Sequence, residues 1–406
     1  MSARHRGGAR TPRRRARTAT GVGALAAAAV LGLSSCAPPG FNAENQAPLP
    51  EKTVKPLQDD ETAEGFELDA LVAAARQEGP ITIYDETGKV TQIAEAFSEK
   101  YGIEAHGVKI EANGIDKVRR EGESGNIIAD VFAVSDAPAV YSDLYEDDIL
   151  TNWVPGDVRD RLPEEARYPY LTSNNYLVWT YNSDTYGEQC PVSNIWQLTE
   201  PEWAGQVALP DPESRAVYTN IWSQAARNYS DEWAQAYEDR YGEELETDQP
   251  TAYHEWLVRL AANEPSIFKG DEEVSNAVGP PGQSRPPIGQ MAAAKYRNNE
   301  SKGYSLAPCY GLQPFSAGGM PQTMGYATGT DSPNAAKLYI HFATSQEGME
   351  YIMPDGKVSY DPDVLPPDDR YGLQEHAEEF QPFDTDSPLA DYRDTVYWQD
   401  LWRSSR

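Results

Sequence analysis

Between Phe66 and Leu144 the chain alternates repeatedly between two hydrophobic periods, and this constrains its fold more than any other feature. Ile81-Thr82-Ile83-Tyr84 reads as a short strand. Val90, Ile93, Ala94, Phe97 and Tyr101 follow at helical spacing, and Gly102 stops them. His106 to Ile110 is a second strand candidate, followed by a helix around Ile115 to Arg120. Ile127 to Val134 is an apolar strand with Asp130 as its one charge, and Ser135-Asp136 opens a helix through Val140 and Leu144. Strand–helix units repeated in this way form an open, mainly parallel sheet with helices on both faces. Ligands of such α/β sheets sit outside the carboxyl ends of the strands, where strand order reverses. Here those ends carry Tyr84, Asp85, Glu86 and Thr87 after the first strand, and Ser135 and Asp136 after the third.

A second set of elements begins with the strand Tyr176 to Asn182. Gln206 to Leu209 is a further strand, and its loop leads to a helix with Val217, Ile221, Trp222 and Ala225 in register. Ser214 and Arg215 stand where that helix starts. A guanidinium beside free backbone N–H groups is a ready carboxylate or phosphate site. Tyr218 lies one turn on, and Tyr326 ends a late strand. Each of these residues also has a plainer role available. Asp85, Glu86, Ser135 and Asp136 suit helix starts as caps or dipole partners, and Arg215 suits pairing with an acid-rich surface.

Charge and export narrow the function. Residues 1–20 hold seven arginines and no acid, Gly21 to Leu33 are small and apolar, and Ser34-Ser35-Cys36 follows. A basic head, a short apolar run and small residues before a cut form a secretory signal, and the run is too short to span a bilayer. Cys36 resembles the lipidated cysteine of a bacterial lipobox, which implies an extracytoplasmic protein held to the cell membrane by its N-terminal lipid. The alternative is an ordinary signal with a chance cysteine. Residues 1–35 are thus expected as signal peptide and 36–64, rich in Pro, Asn, Gln and acids, as a flexible tether. Cleavage removes seven arginines and no acid, taking the formal charge from −30 to −37. Such a charge argues against nucleic acid as a partner.

Cys190 and Cys309 remain, either paired or as two separate buried thiols. No CxxC, HExxH or clustered Cys/His spacing marks a metal site, and no cofactor is expected. A secreted hydrolase is the alternative class, but no GxSxG elbow or triad is visible.

Several motifs together resemble a known family. Ala73-Ala74-Ala75-Arg76-Gln77-Glu78-Gly79 running into Ile81-Thr82-Ile83-Tyr84 is similar to the opening of periplasmic solute-binding proteins of the ferric-iron ABC-importer type. Ala129-Asp130-Val131-Phe132 before Ser135-Asp136, Glu202-Trp203-Ala204-Gly205, and Pro333-Asn334-Ala335-Ala336-Lys337-Leu338 with Ser345-Gln346-Glu347-Gly348 resemble later parts of that family. The resemblance implies a type II periplasmic-binding-protein-like fold, two α/β lobes joined by crossover strands. Lobe 1 is expected over 65–175 plus 315–350, and lobe 2 over 176–314 plus 351–406. It also implies a monomeric receptor that delivers a small molecule or ion to the permease subunits of an ABC importer; a ligand sensor of the same fold is the alternative. Iron-binding members hold the metal with tyrosines, usually including an adjacent pair. This chain has no Tyr-Tyr dipeptide. Ferric iron, an aminophosphonate, an amino acid and a polyamine remain as ligand classes. Asp85 and Glu86 favour a cation or a hydroxyl, Arg215 favours an anion, and a zwitterion satisfies both.

Overall fold

A computed structural model describes residues 65–111 and 114–406. The expected signal peptide and the whole of the expected tether, Cys36 included, lie outside the described residues. The first run of elements is α1 (Leu68–Ala75), β1 (Ile81–Asp85), α2 (Val90–Tyr101), β2 (Ala105–Lys109), α3 (Gly114–Ser124), β3 (Val131–Val134) and the short α4 (Ala137–Val140). A π-helical turn over Tyr141–Tyr145 extends α4, and β4 (Leu150–Thr151), β5 (Leu171–Asn174) and β6 (Leu177–Asn182) follow. Next come β7 (Val207–Pro210), α5 (Ala216–Asn228), α6 (Ser230–Tyr241), α7 (Ala252–Ala262), β8 (Ser266–Phe268), α8 (Asp271–Val278), β9 (Ile288–Ala292), β10 (Leu306–Pro308) and β11 (Ala317–Gly318). The chain ends with β12 (Pro321–Ala327), α9 (Pro333–Thr344), β13 (Val358–Ser359), β14 (Phe380–Gln381) and α10 (Pro388–Ser405).

These strands form two sheets. The first runs β13-β5-β12-β3-β1-β2, with β4 on β12; the second runs β14-β11-β6-β9-β7-β8, with β10 on β6. β1 is parallel to β2 and β3, and β7 is parallel to β8 and β9. The remaining pairings are antiparallel, apart from β11 with β14. The sheets are therefore mixed, not mainly parallel as the local alternation suggested. Each keeps a parallel core of three strands and is widened by strands such as β12 that arrive from the other lobe running the opposite way.

Alternation along each strand supplies the two faces. Ile81, Ile83, Val131 and Ala133 pack with α2 and α9 residues such as Phe97 and Leu338, while Tyr84, Phe132 and Val134 pack on the opposite face with Val118 and Leu144. This is why Val131 to Val134 is apolar throughout: a central strand covered on both sides has no wet face. The expected strand over 127–134 is shorter than read, because Ile128 is exposed at 49% ahead of it. The second sheet repeats the pattern, with Trp179, Val207 and Leu209 on one face and Val178 and Ala208 on the other.

The expected lobe limits need two corrections. β11 belongs to the second sheet, so the return to the first lobe falls at 319–320 and not at 315. β13 pairs with β5, and Ile352, Met353 and Val364 sit in the first lobe's core, so residues 351–364 belong there and not to lobe 2. The last stretch, from Tyr371 and Leu373 through β14 and α10, joins the second lobe, where Trp398 and Trp402 are buried. Cys190 and Cys309 form a disulfide with Cα atoms 5.0 Å apart, closing a sequence separation of 119 residues.

Candidate functional site

A cleft of about 630 Å³ opens between the two sheets' carboxyl edges, within the size range of small-molecule sites. The first lobe contributes Glu86 to Lys89, Lys109 to Glu111, Ser135, Asp355 and Lys357 to its lining. The second contributes Arg215, Tyr218, Lys269 to Glu273, Ala292, Lys295 and Arg297, and the crossover segments add Asn175 and Met320. The same local device recurs in both lobes: a parallel strand ends, a short polar turn follows, and a helix begins. Thr87 to Lys89 lead into α2, Arg215 caps α5, and Lys269-Gly270 lead into α8. Helix starts carry unsatisfied N–H groups and partial positive charge. Gly107 lets α2 come this close, because a Cβ there would lie 2.4 Å from the Val90 carbonyl oxygen.

Seven cationic side chains line the cleft against six acids, in a chain whose formal charge is −30. Most of the acids are engaged. Glu272 receives Lys295 Nζ at 3.0 Å and also Lys302; burial alone would raise its pKa, but the two ammonium groups hold it at about 2. Asp355 meets Arg297 across the lobes at 3.2 Å, and Glu111 pairs with Lys109 at 2.6 Å. The hydrogen bond from Lys109 holds Glu111 below the usual carboxylate range, helped by Arg215 and Lys269. Asp271 accepts from the Ala292 N–H at 3.2 Å and from Tyr218 Oη at 3.4 Å. Burial raises the pKa of Asp271 and that of the Tyr218 phenol. Lys89, Lys269 and Lys357, by contrast, form no ion pair among the described residues.

Five of the ten predicted residues line this cleft: Glu86, Thr87, Ser135, Arg215 and Tyr218. Glu86 accepts from the Ser135 N–H at 3.0 Å and faces Arg215 Nη2 across the lobes at 3.5 Å. Burial would weaken the charge on Arg215, but Tyr218, Glu86, Asp271 and Asp136 raise its pKa. The Ser135 hydroxyl, 2% exposed at residue level, has no hydrogen-bond partner, and neither does Asn175 Oδ1.

The other five lie outside the lining. Tyr84 points to the far face of its sheet, where its hydroxyl meets Lys117 Nζ at 2.6 Å and Glu121 Oε1 at 3.2 Å. Strand alternation explains this, since Ile83 takes the other face. Asp85 is 4% exposed and turns inward to accept from the Thr87 N–H at 2.9 Å and Gln322 Nε2 at 2.8 Å. Burial pushes its carboxyl up to about 6, against the pull of Lys357. Asp136 caps α4 and accepts from Asn220 Nδ2 at 3.0 Å, tying the first lobe to α5; burial raises it to about 6. Ser214 folds back onto the Asp211 carbonyl at 2.7 Å, and Tyr326 sits in the first lobe's core. Sequence reasoning missed Lys89, Lys269, Lys357 and Asn175. The available signal was lysine scarcity: only nine lysines occur in residues 65–406, and five of them line the cleft.

Two α/β lobes with a cleft lined from both define the class of extracytoplasmic solute-binding receptors. The chain belongs to the bacterial extracellular solute-binding protein family, whose pattern it matches over residues 82–356. Iron-bound HitA from Pseudomonas aeruginosa has the same fold at 18% identity and a TM-score of 0.61, covering 80% of this chain and 99% of its own. AfuA from Actinobacillus pleuropneumoniae with fructose-6-phosphate gives 17% identity and a TM-score of 0.59, covering 80% and 99%. AgtB from A. tumefaciens with agropinic acid gives 17% and 0.54, covering 80% and 98%. No curated protein matches the chain by sequence. By family, then, the protein is a bacterial extracellular solute-binding protein.

Proposed function

We propose that this protein is a lipid-anchored extracellular receptor that closes its two lobes on a small organic anion and delivers it to an ABC permease. The observation that carries the reading is the gathering of five of nine lysines at one cleft of a strongly acidic chain. Cations concentrated against the molecule's own charge raise the local concentration of anions and disfavour a polyamine. Three of these lysines form no ion pair among the described residues, and of the three Lys89 is half-buried and Lys357 buried, so a ligand anion meets at least two ammonium groups that are already desolvated in part. The sugar phosphate held by AfuA and the organic acid held by AgtB are ligands of this kind. HitA holds iron, but among the residues lining this cleft there is one tyrosine and no histidine. Among the described residues no group of three or more His, Cys, Asp or Glu is placed to hold a metal ion. Lysines beside hard oxygen donors repel a ferric ion unless an anion comes with it. Hinge closure would give the open and liganded forms different faces for a permease, and Cys36 would keep the receptor at the membrane.

The experiment is a melting-temperature panel on the purified protein with inorganic phosphate, fructose 6-phosphate, citrate, ferric ion and spermidine. An anion at about a hundred times its dissociation constant should add roughly 2.7 kcal/mol of stability, and the gain should shrink with added salt. Stabilisation by spermidine or ferric ion alone, with none from any anion, would overturn the reading. Cys36→Ser should release the protein from cells into the medium.

A further inference from the structure

The cleft floor carries a more specific feature. Lys357 is 6% exposed and yet reaches the lining of the cleft. A lysine this buried is normally paired with a carboxylate. This one makes no direct ion pair: it acts on Asp85 only through space, and its Nζ donates to the side-chain oxygen of Gln322 at 2.9 Å. Gln322 in turn donates from Nε2 to Asp85 at 2.8 Å, so its amide orientation is fixed by having an acid on one side and an ammonium on the other. An ammonium has three donors. One is used, which leaves two.

Two unpartnered polar groups lie at the same sheet edge. Ser135 Oγ, on a residue 2% exposed, follows directly on β3, and Asn175 Oδ1 sits in the crossover from β5 to β6. Strand register brings them together. Thr323 stands opposite Val134 and donates to its carbonyl at 3.1 Å, so Gln322 is next to the end of β3. The Asn175 N–H donates to the Met320 carbonyl at 3.1 Å, two residues before Gln322. Buried polar groups without partners are uncommon and costly, and two that share one cavity with a buried ammonium whose donors are only partly used point to something that completes them.

Resting on the anionic-ligand reading above, we propose that Lys357, Ser135 and Asn175 form an oxyanion subsite on the cleft floor and that the ligand carries a hydroxyl next to its anionic group. The ammonium and the Ser135 hydroxyl donate to the oxyanion, and the Asn175 carbonyl accepts from the neighbouring hydroxyl. The ligand class is then a hydroxylated organic anion, either a sugar phosphate or a hydroxycarboxylate.

The test is titration calorimetry on the full-length protein and its variants with fructose 6-phosphate, citrate and inorganic phosphate. The first two separate the phosphate and carboxylate sources, and the third lacks the hydroxyl-bearing body. A charge-assisted hydrogen bond lost at a desolvated site should weaken binding about 10- to 100-fold, so Lys357→Met should show that loss for whichever organic anion binds. Ser135→Ala should weaken it about 3- to 10-fold. Because that hydroxyl bonds to nothing in the free protein, its loss should leave the unliganded melting temperature unchanged, which a structural role would not. Inorganic phosphate should bind more weakly than the organic anion and be insensitive to Asn175→Ala. If Lys357→Met does not fold, Ser135→Ala decides alone. An organic anion bound by the wild type but held within twofold by Lys357→Met and Ser135→Ala would overturn this subsite and leave the receptor reading standing. A wild type that binds none of the three anions would instead remove the anionic-ligand reading itself.

Discussion

The two lobes present similar rims to the cleft but are built on different cores. Eight of the nine tryptophans, all but Trp153, pack in the second lobe. There the indoles stack closely, with Trp233 and Trp256 centroids 4.6 Å apart. They also bond in fixed directions: Trp196 Nε1 donates to the Trp233 carbonyl at 3.0 Å and Trp256 Nε1 to the Ile195 carbonyl at 3.1 Å. The disulfide lies in this lobe as well. The first lobe is filled by aliphatic side chains and a Phe/Tyr group around Phe97, which meets Tyr101 at 5.2 Å and Tyr339 at 5.5 Å. Both cores nonetheless serve the same edge geometry of strand end, polar turn and helix start. The cleft is lined largely from those edges, so the material behind them is free to differ.

The largest way to break this comparison is Trp256→Ala. Deleting a buried indole costs about 3–5 kcal/mol, and we expect it to lower the second lobe's unfolding transition while the first lobe's stays in place in calorimetry. Equal movement of both would mean the halves unfold as one unit. Next is the Cys190→Ser, Cys309→Ser double variant, which should cost the second lobe roughly 2–5 kcal/mol and leave the first unchanged under reducing and oxidising conditions alike. Third, acidity should act on both halves. Burial raises Asp85 in the first lobe and Asp391 in the second from 3.8 to about 6. A raised folded-state pKa means the native protein binds more protons than the unfolded chain. The favourable contribution is complete below about pH 4 and is lost as pH rises through 6, a change of up to about 3 kcal/mol for each group. Melting temperature should therefore climb between pH 7 and pH 5, and Asp85→Asn should flatten that climb. The smallest effect is at the seam. Asn220→Ala removes the bond to Asp136 that joins the lobes and should cost about 1 kcal/mol, read as a wider ligand-free particle in solution scattering.

The strand–helix alternation from β1 to α4 was legible because it is written in local periodicity. Apolar residues at 81 and 83 and a helix stripe over 90–101 leave few other options. The antiparallel half of each sheet was not legible, because β5, β12 and β13 pair across well over a hundred residues and nothing in their own sequence names the partner. The site divided along similar lines. The rule that ligands sit at strand ends led to Glu86, Ser135 and Arg215, which line the cleft. Tyr84 and Asp85 failed the same rule because it fixes the end of the strand and not the direction of each side chain. Lysines 89, 269 and 357 were passed over because a single lysine in a polar turn looks like ordinary solvated surface. Only their convergence from three distant segments, which is a property of the fold, gives them meaning.

The last helix, α10, is packed on α5 and α7 of one half and also lies against α4 and the π-helical turn of the other, with Tyr392 Oη on Asp143 at 3.2 Å. Two bodies joined by short linkers alone could swing in several directions. A rod that spans the joint removes most of these, leaving a door on a pin where there would otherwise be a ball in a socket. Reporter dyes for following capture in real time therefore belong on opposite lips of the opening, near Lys89 and Lys269. A label near Arg406 would ride with the pin and register almost nothing.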